Sequence, residues 1–477
     1  MDMKKIIIAS LALFLIAVGG MAFGVKWVNS YGDNVAIEEI VLSGDKTAAE
    51  GITITTTSQH EGTPIKWETI YTAGIEPEVS ARFQYQKRRP KDYVEKESDV
   101  SFHTYPWDDE EWDAEYGSAV IDFEEDLGTP EELVMPVVEN TKAGSLHQET
   151  VYLQDRIPYY DVHLSFYITN GTDTEYSSHD REDAAAYFQI PISEDDRLSI
   201  KVKKMYDGSC KFVRIAPKKI SRVLTSGIVH DDAIYLFMTD MESYIPHMDK
   251  VEQVTLPERI CGLHKIPYTE VTSGYGYKEV KADFDNAELI TPMEQGGQVL
   301  SPFFSEDGEE LRAFFIEDEK IYLLIFDVET FELRQKIYLT DCGEIYFYEN
   351  SFAVKDAGNH MLVTMVNNQF SFLTKDKNGN WKLEVTDKLL LKDIPEFLGD
   401  ERVAFAYDGK KLVIACMDMQ DFFVDDWQAP ASFQLSIYEK NQRIYDGFYK
   451  NSLDYPDFVA GPVGNSPITV SLLVKTK

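Results

Sequence analysis

From residue 299 to 339 the chain alternates short apolar or aromatic runs with short polar turns: Val299–Phe304, Leu311–Ile316, Ile321–Phe326 and Leu333–Leu339. Each run has the length of a strand and is too short for a helix, so the stretch predicts one four-stranded antiparallel meander. Such a unit cannot bury both faces of its sheet alone; stacked on copies of itself it can. Copies are readable. Ala233–Met238, Ile321–Phe326, Gln369–Leu373 and Phe433–Tyr438 each predict an inner strand followed by a polar turn and an outer strand. Thr330–Glu332, Asn378-Gly379 and Asn441-Gln442 fall in three of those turns. Asn378-Gly379 predicts a type I′ hairpin, which requires positive φ at both central residues.

Strand pattern also fills the first half of the chain, at Gly51–Thr57, Pro64–Tyr71, Val79–Tyr85 and Val151–Ile168, with Gly, Asn and Asp between the runs. A last run follows a Gly/Pro loop at the C-terminus. Near-equal sheets that stack around an axis make an all-β fold, a β-propeller; repeats of roughly fifty residues would give eight or nine blades, and because several loops are long the expected number is about seven, with six and eight as the neighbouring counts. A ring has to be closed, so Ile468–Val474 is expected to complete the blade begun near Ala36–Thr57.

A second self-similarity supports the repeat. Phe304-Ser-Glu-Asp307-Gly308-Glu-Glu-Leu311-Arg-Ala-Phe314 lines up with Phe405-Ala-Tyr-Asp408-Gly409-Lys-Lys-Leu412-Val-Ile-Ala415, and looser copies surround Asp356-Ala-Gly358 and Asp207-Gly208. In these turns Asp is expected to cap the chain reversal through its own backbone while Gly takes positive φ. The segment resembles the F-S-x-D-G-x-x-L-x-F repeat of TolB-like and prolyl-oligopeptidase-type propellers, in the wider company of WD40-like repeats. Glu306 and Tyr407 stand where that repeat has proline. The resemblance implies the fold and carries no catalytic role.

Ahead of the β pattern lies a different one. Lys4 and Lys5 precede about twenty uncharged, mostly apolar residues, long enough to cross a bilayer core of roughly 30 Å. The expected organisation is a cytoplasmic N-terminus at 1–5, a transmembrane anchor at 6–25, a linker at 26–35 and an extracytoplasmic propeller at 36–477. The lysines on the near side of the span set this orientation.

Composition narrows the partners. A net charge of −36 argues against nucleic acid, which requires clustered Lys and Arg. Lys87–Lys91 and the stripe from Arg197 to Arg222 are the basic exceptions, and they fit a loop tip and the solvent face of strands. Cys210, Cys261, Cys342 and Cys416 are far apart and form no CxxC or Cys/His cluster, so no metal is expected; reduced, buried thiols are favoured over two disulfides. The nine histidines are scattered, with no HExxH and no i,i+4 pair. GxSxG and phosphate-binding loops are missing, and no cofactor is expected.

Binding residues are sought instead where loops reach the mouth of a propeller, or where aromatics interrupt an acidic loop. Asp231 and Asp232, and Asp425, Asp426 and Trp427, lie beside inner strands; Trp107 and Trp112 lie in the most acidic stretch. The expected function is a membrane-anchored binding or sensory scaffold for a protein or a cell-wall glycan. Two rivals stand beside it: a tethered glycoside hydrolase or lyase using a pair of axial carboxylates, and a structural part of an envelope complex.

Overall fold

The computed structural model describes residues 3–32, 36–60, 65–75, 77–85, 98–105, 119–121, 131–169, 175–180, 182–244, 251–272, 278–343, 351–366, 368–389, 403–417, 432–451, 463–464 and 468–472. Among the described residues the body is mostly β, and every strand pair is antiparallel. It divides into a terminal unit, Met1–Pro90 with Ile345–Lys477, and a central unit, Lys91–Glu344.

In the central unit, Gln298–Phe304, Glu310–Glu317, Lys320–Asp327 and Leu333–Asp341 form a four-stranded sheet in sequential order, as the hydrophobic pattern predicts. Ile321–Phe326 lies in its third strand, paired on both sides. That position buries both faces and explains the unbroken apolar run. A nine-stranded sheet is organised on one long strand, Cys210–His230. Its first half pairs with Arg197–Lys204 and its second half with Ala233–Tyr244, so a single strand serves two neighbouring ladders. A three-stranded sheet joins Ser98–Tyr105, Asp161–Thr169 and Glu175–Asp180.

Two helices in this unit were not predicted from the strand-like pattern, α2 (Glu131–Asn140) and α3 (Glu182–Phe188). In α2, Leu133, Val134, Val137 and Val138 are all buried, at the spacing of one helical face. That face packs into the core that also takes Phe188 of α3.

In the terminal unit, Phe352–Asp356, His360–Met365, Gln369–Lys375 and Trp381–Lys388 form one sequential four-stranded sheet. Val403–Tyr407, Lys411–Met417, Phe433–Glu439 and Gln442–Asn451 form the next, and Ile37–Gly44 adds a fifth strand to its outer edge. The two sheets share a core of Phe370, Phe372, Leu412, Ile414 and Tyr438. The last sheet joins Ile52–His60, Ile65–Thr72 and Glu78–Tyr85 to Ile468–Leu472, with Ile54 opposite Val470. Segments from both ends of the chain therefore meet in one sheet. The expected partner range is corrected in one respect: Ile37–Gly44 joins the preceding sheet, and only Ile52–Thr56 meets the C-terminal strand.

The Asp-Gly turns take the expected form. Asp408 Oδ1 accepts the backbone N–H groups of Lys410 and Lys411 at 2.9 and 2.7 Å, and Asp307 Oδ1 accepts that of Glu309 at 3.1 Å. Gly308 and Gly409 sit at φ 72° and 89°. The Asn378-Gly379 expectation is overturned. Only Gly379 has positive φ, and Asp376 heads the turn by accepting the N–H groups of Asn378 and Asn380. An Asp two residues ahead offered its carboxylate to the backbone and drew the reversal one position earlier. Consecutive positive φ values occur at Asp318-Glu319 and Lys440-Asn441 instead, each a two-residue loop without glycine.

At the N-terminus, α1 runs from Met3 to Gly32, continuing through much of the expected linker. Leu11, Leu13, Phe14, Leu15, Ile16, Met21 and Phe23 are exposed on it, and its side chains are described in an unbroken run only from Ser10 to Lys26. Among the described residues, no helix is long and apolar enough to cross a membrane. Cys261, Cys342 and Cys416 are buried and Cys210 is partly so; none forms a disulfide. Residues 87–91 lie outside the described residues.

Candidate functional site

Asp231 and Asp232 are the two loop residues of the hairpin between Cys210–His230 and Ala233–Tyr244, closed by the His230–Ala233 pair. Asp231 stands at φ 53°, in the first loop position, where a two-residue hairpin with one left-handed residue normally takes glycine. The backbone is held there from the next strand. Tyr268 donates its hydroxyl to the Asp231 carbonyl at 2.7 Å, and its N–H to the Asp232 carbonyl at 3.0 Å. Both side chains face solvent, Asp231 with 83% of its surface exposed.

An aromatic cluster supports the turn from below. The His230 ring stacks on Phe304 at 3.8 Å, Tyr235 meets Phe304 and Phe331 at 5.4 and 5.3 Å, and Lys265 lies 6.0 Å above the Phe331 ring. Phe304 ends a strand just ahead of the Asp307-Gly308 turn, so three turns of neighbouring sheets converge here. Burial, and then the charges of Asp231 and Asp232, hold the Tyr235 hydroxyl above the usual phenol range; Tyr268 is raised by the same causes together with Glu270. The phenols therefore stay neutral beside the two aspartates, and Tyr268 donates to the turn. This arrangement can accept hydrogen bonds and attract cations, and Asp231 and Asp232 stand exposed on the turn among the described residues.

Replacing Asp231 by glycine is expected to stabilise the protein by about 1 kcal/mol, because a non-glycine residue pays roughly that in the left-handed region. Urea unfolding of Asp231→Gly checks this, and an unchanged midpoint would show that the turn is not strained.

Trp107, Trp112, Asp425, Asp426 and Trp427 lie outside the described residues, so of the residues singled out from the sequence only Asp231 and Asp232 are brought together here.

The terminal unit has a cleft of its own, about 280 Å³, between the 352–388 and 403–451 sheets. Phe372, Tyr407, Tyr438 and Leu412 form its apolar part, and Glu384 and Asn441 are among its polar residues. Phe372 and Tyr407 pack at 5.0 Å, and His360 meets Tyr407 at 5.3 Å. The arrangement parallels His230 and Phe304: a histidine at one sheet's first turn faces an aromatic ahead of the next sheet's Asp-Gly turn. Tyr438 of the lining and Arg443 both hydrogen-bond Asp387, and Arg443 also bonds the buried Asp446.

Asp196 was not singled out from the sequence, where it is one of many acidic pairs. It is fully buried at the point where the long strand passes between its two ladders. Its Oδ1 accepts the Ser221 hydroxyl at 2.8 Å, its Oδ2 has no partner, and Lys219 is turned to the neighbouring Asp195 at 3.0 Å. Burial pushes the Asp196 carboxyl up to about 6, against the opposing pull of Ser221, Lys219 and Ser193. An acid raised on folding contributes stability that is fully present below its unfolded pKa of 3.8, and that is lost as pH rises through the folded value. At pH 7 the ionised form therefore costs up to about 3 kcal/mol. Asp196→Asn is expected to flatten the pH dependence of unfolding between 3.8 and about 6. Parallel slopes for the two proteins would remove Asp196 as the cause.

No protein-family model and no curated protein matches the sequence. Solved structures do. They include the Swd1 β-propeller domain of Myceliophteria thermophila, 11% identical over 60% of this chain and 80% of that one, with a TM-score of 0.20. TolB of Acinetobacter baumannii is 13% identical over 68% and 82%, with a TM-score of 0.18. A chain from the S. cerevisiae Dbp5 complex with Nup159 and Gle1 is 10% identical over 56% of this chain, with a TM-score of 0.22; this chain spans 58% of its length. At these scores the superpositions carry no argument, and the fold rests on the sheets themselves.

Proposed function

We propose that this chain is a membrane-anchored, extracytoplasmic β-propeller that serves as a binding scaffold for a protein partner bearing basic side chains. The observation that carries the binding reading is the Asp231-Asp232 turn: two solvent-facing carboxylates, one on a strained backbone, fixed by Tyr268 and underpinned by packed aromatics. Strain held in place by surrounding structure is a pointer to function. A glycan is the weaker candidate, because sugar rings stack on open aromatic faces while Tyr235 is buried and Phe304 is covered by His230. Open carboxylates and a net charge of −36 attract cationic groups. A hydrolase needs two carboxylates facing one another in a substrate-sized pocket, and the turn offers none.

The propeller reading is supported by the sequential four-stranded sheets and by the pairing of Ile52–Thr56 with Ile468–Leu472. Separating the nine-stranded sheet at Cys210–His230 into its two ladders gives seven sheets among the described residues, within the six to eight blades expected from the sequence. The anchor reading is supported by the uncharged run at 6–25 and by the exposed apolar side chains of α1, which water covers poorly.

The test replaces Asp232 with a photo-cross-linking residue in the intact cell and repeats the capture with Asp231→Asn beside it. A protein adduct that weakens with salt and with Asp231→Asn supports the reading. Binding on a glycan array that requires either aspartate would sink it. Protease accessibility of a C-terminal tag in whole cells, and release of the protein by carbonate, test the anchor separately.

A further inference from the structure

The hairpin that joins Arg197–Lys204 to Cys210–His230 carries an aromatic at its tip, outside the core. Tyr206 is 91% exposed; Met205 beside it and Leu146, which opens the neighbouring strand Leu146–Tyr152, are exposed as well. These side chains form one patch. Leu146 stands directly opposite Lys203 across the ladder, Gly144 donates its N–H to the Met205 carbonyl at 3.0 Å, and Lys204 donates its own to the Ser145 carbonyl at 3.1 Å. The Tyr206 ring lies against the turn at Gly144. A side-chain carbon there would stand 2.6 Å from the ring, so glycine is what lets it approach. Lysines flank the patch: Lys142 and Lys203 are exposed, Lys204 is half-buried, and none of the three forms a salt bridge among the described residues. Asp207, the acid of the tip, is turned into the hairpin, where its Oδ1 accepts the N–H and the hydroxyl of Ser209 at 2.9 and 2.6 Å.

We propose that this tip is a docking surface for an anionic lipid bilayer, with Met205, Tyr206 and Leu146 entering the headgroup layer and Lys142, Lys203 and Lys204 meeting the lipid phosphates. Exposed apolar side chains beside unpaired cations complement a surface that is apolar within and anionic at its boundary. A tyrosine suits that boundary because its ring is apolar and its hydroxyl stays wet. The net charge of −36 does not oppose this locally. At physiological salt the screening length is about 8 Å, so acids farther away contribute little at the tip. Backbone hydrogen bonds hold both turns before contact, which leaves only side chains to be ordered by docking. The surface shares no residue with the Asp231-Asp232 turn, and it requires neither that turn nor a spanning α1.

The test holds the full chain in nanodiscs of neutral phosphatidylcholine and offers it vesicles of phosphatidylcholine with and without phosphatidylglycerol. Every variant keeps α1 intact, so any contribution of that helix is common to all of them and cancels. Co-flotation with the anionic vesicles is expected to fall with added salt and to weaken about fivefold for each of Lys203→Gln and Lys204→Gln. Tyr206→Ser should weaken it about tenfold by removing the apolar ring. The Lys203→Arg/Lys204→Arg variant, which keeps both charges, should bind like the parent. Backbone hydrogen exchange at Lys203–Ser209 should slow when anionic vesicles are added, a local readout independent of affinity. Affinity within about twofold of the parent in either the Lys203→Gln/Lys204→Gln variant or Tyr206→Ser overturns the proposal, as does equal binding to neutral vesicles. Capture of soluble polyphosphate through these lysines without binding to vesicles overturns it too, in favour of a dissolved polyanion.

Discussion

Ending the chain at Pro467 is expected to destabilise the terminal unit by about 5 kcal/mol. The deletion removes Ile468–Leu472, whose five registered pairs with Ile52–Thr56 form one side of that strand's hydrogen bonding. At a net value of roughly 1 kcal/mol for each backbone hydrogen bond, the ladder alone accounts for that figure. Ile52 and Ile54, now buried, would also lie at a raw sheet edge above a core that includes Tyr71, Phe433 and Tyr449. The loss should appear as a lower urea midpoint and as rapid backbone hydrogen exchange at Ile52–Thr56. Pairing between Ile37–Gly44 and Gln442–Asn451 still joins the two ends of the chain, so the neighbouring sheet should keep its protection. An unchanged midpoint would mean that the C-terminal strand adds nothing to the fold, and the ring-closure reading would go with it.

Arg312→Ala is expected to cost about 3–5 kcal/mol, the range for a buried carboxylate left without its partner. Glu310 and Arg312 lie two apart on one strand, so their side chains share a face. Each is only 2% exposed. Glu310 Oε2 accepts Arg312 Nε at 3.0 Å and Nη2 at 2.7 Å, and the guanidinium lies 5.9 Å from the centre of the Phe303 ring. Removing both charges is a different operation from removing one. A Glu310→Leu/Arg312→Met double variant of similar volume should recover most of the loss, since the penalty comes from the orphaned charge. Equal destabilisation in the single and double variants would show that the pair matters for shape or for its other contacts.

The meander at 298–341 was legible because alternation and strand length act locally: each apolar run and each polar turn declares itself within ten residues. The Asp-Gly turns were legible for the same reason, as the carboxylate and the positive-φ glycine are neighbours in sequence. Errors came where two local signals competed. At 376–380 the aspartate outbid the Asn-Gly pair. Of the candidate site, the acidic turn could be seen, because Asp231-Asp232 lies between two apolar runs. Its aromatic support could not: Phe304, Phe331 and Tyr268 come from three other turns and strands, and no spacing rule connects them.

The order of hydrophobic and polar residues by itself determined that this chain is built of short antiparallel strands in repeated meanders, that an uncharged, mostly apolar run precedes them, and that its two ends have sheet partners to find. Those properties depend on propensity and on burial of one side chain at a time. Only the tertiary structure decided which strand Ile37–Gly44 joins, that Cys210–His230 serves two ladders, that Asp196 is buried with an unpaired oxygen, and that His103 faces His163. Those are facts of register between segments tens to hundreds of residues apart. A one-residue slip would turn every side chain to the other face, and nothing in the local pattern records which partner prevents it.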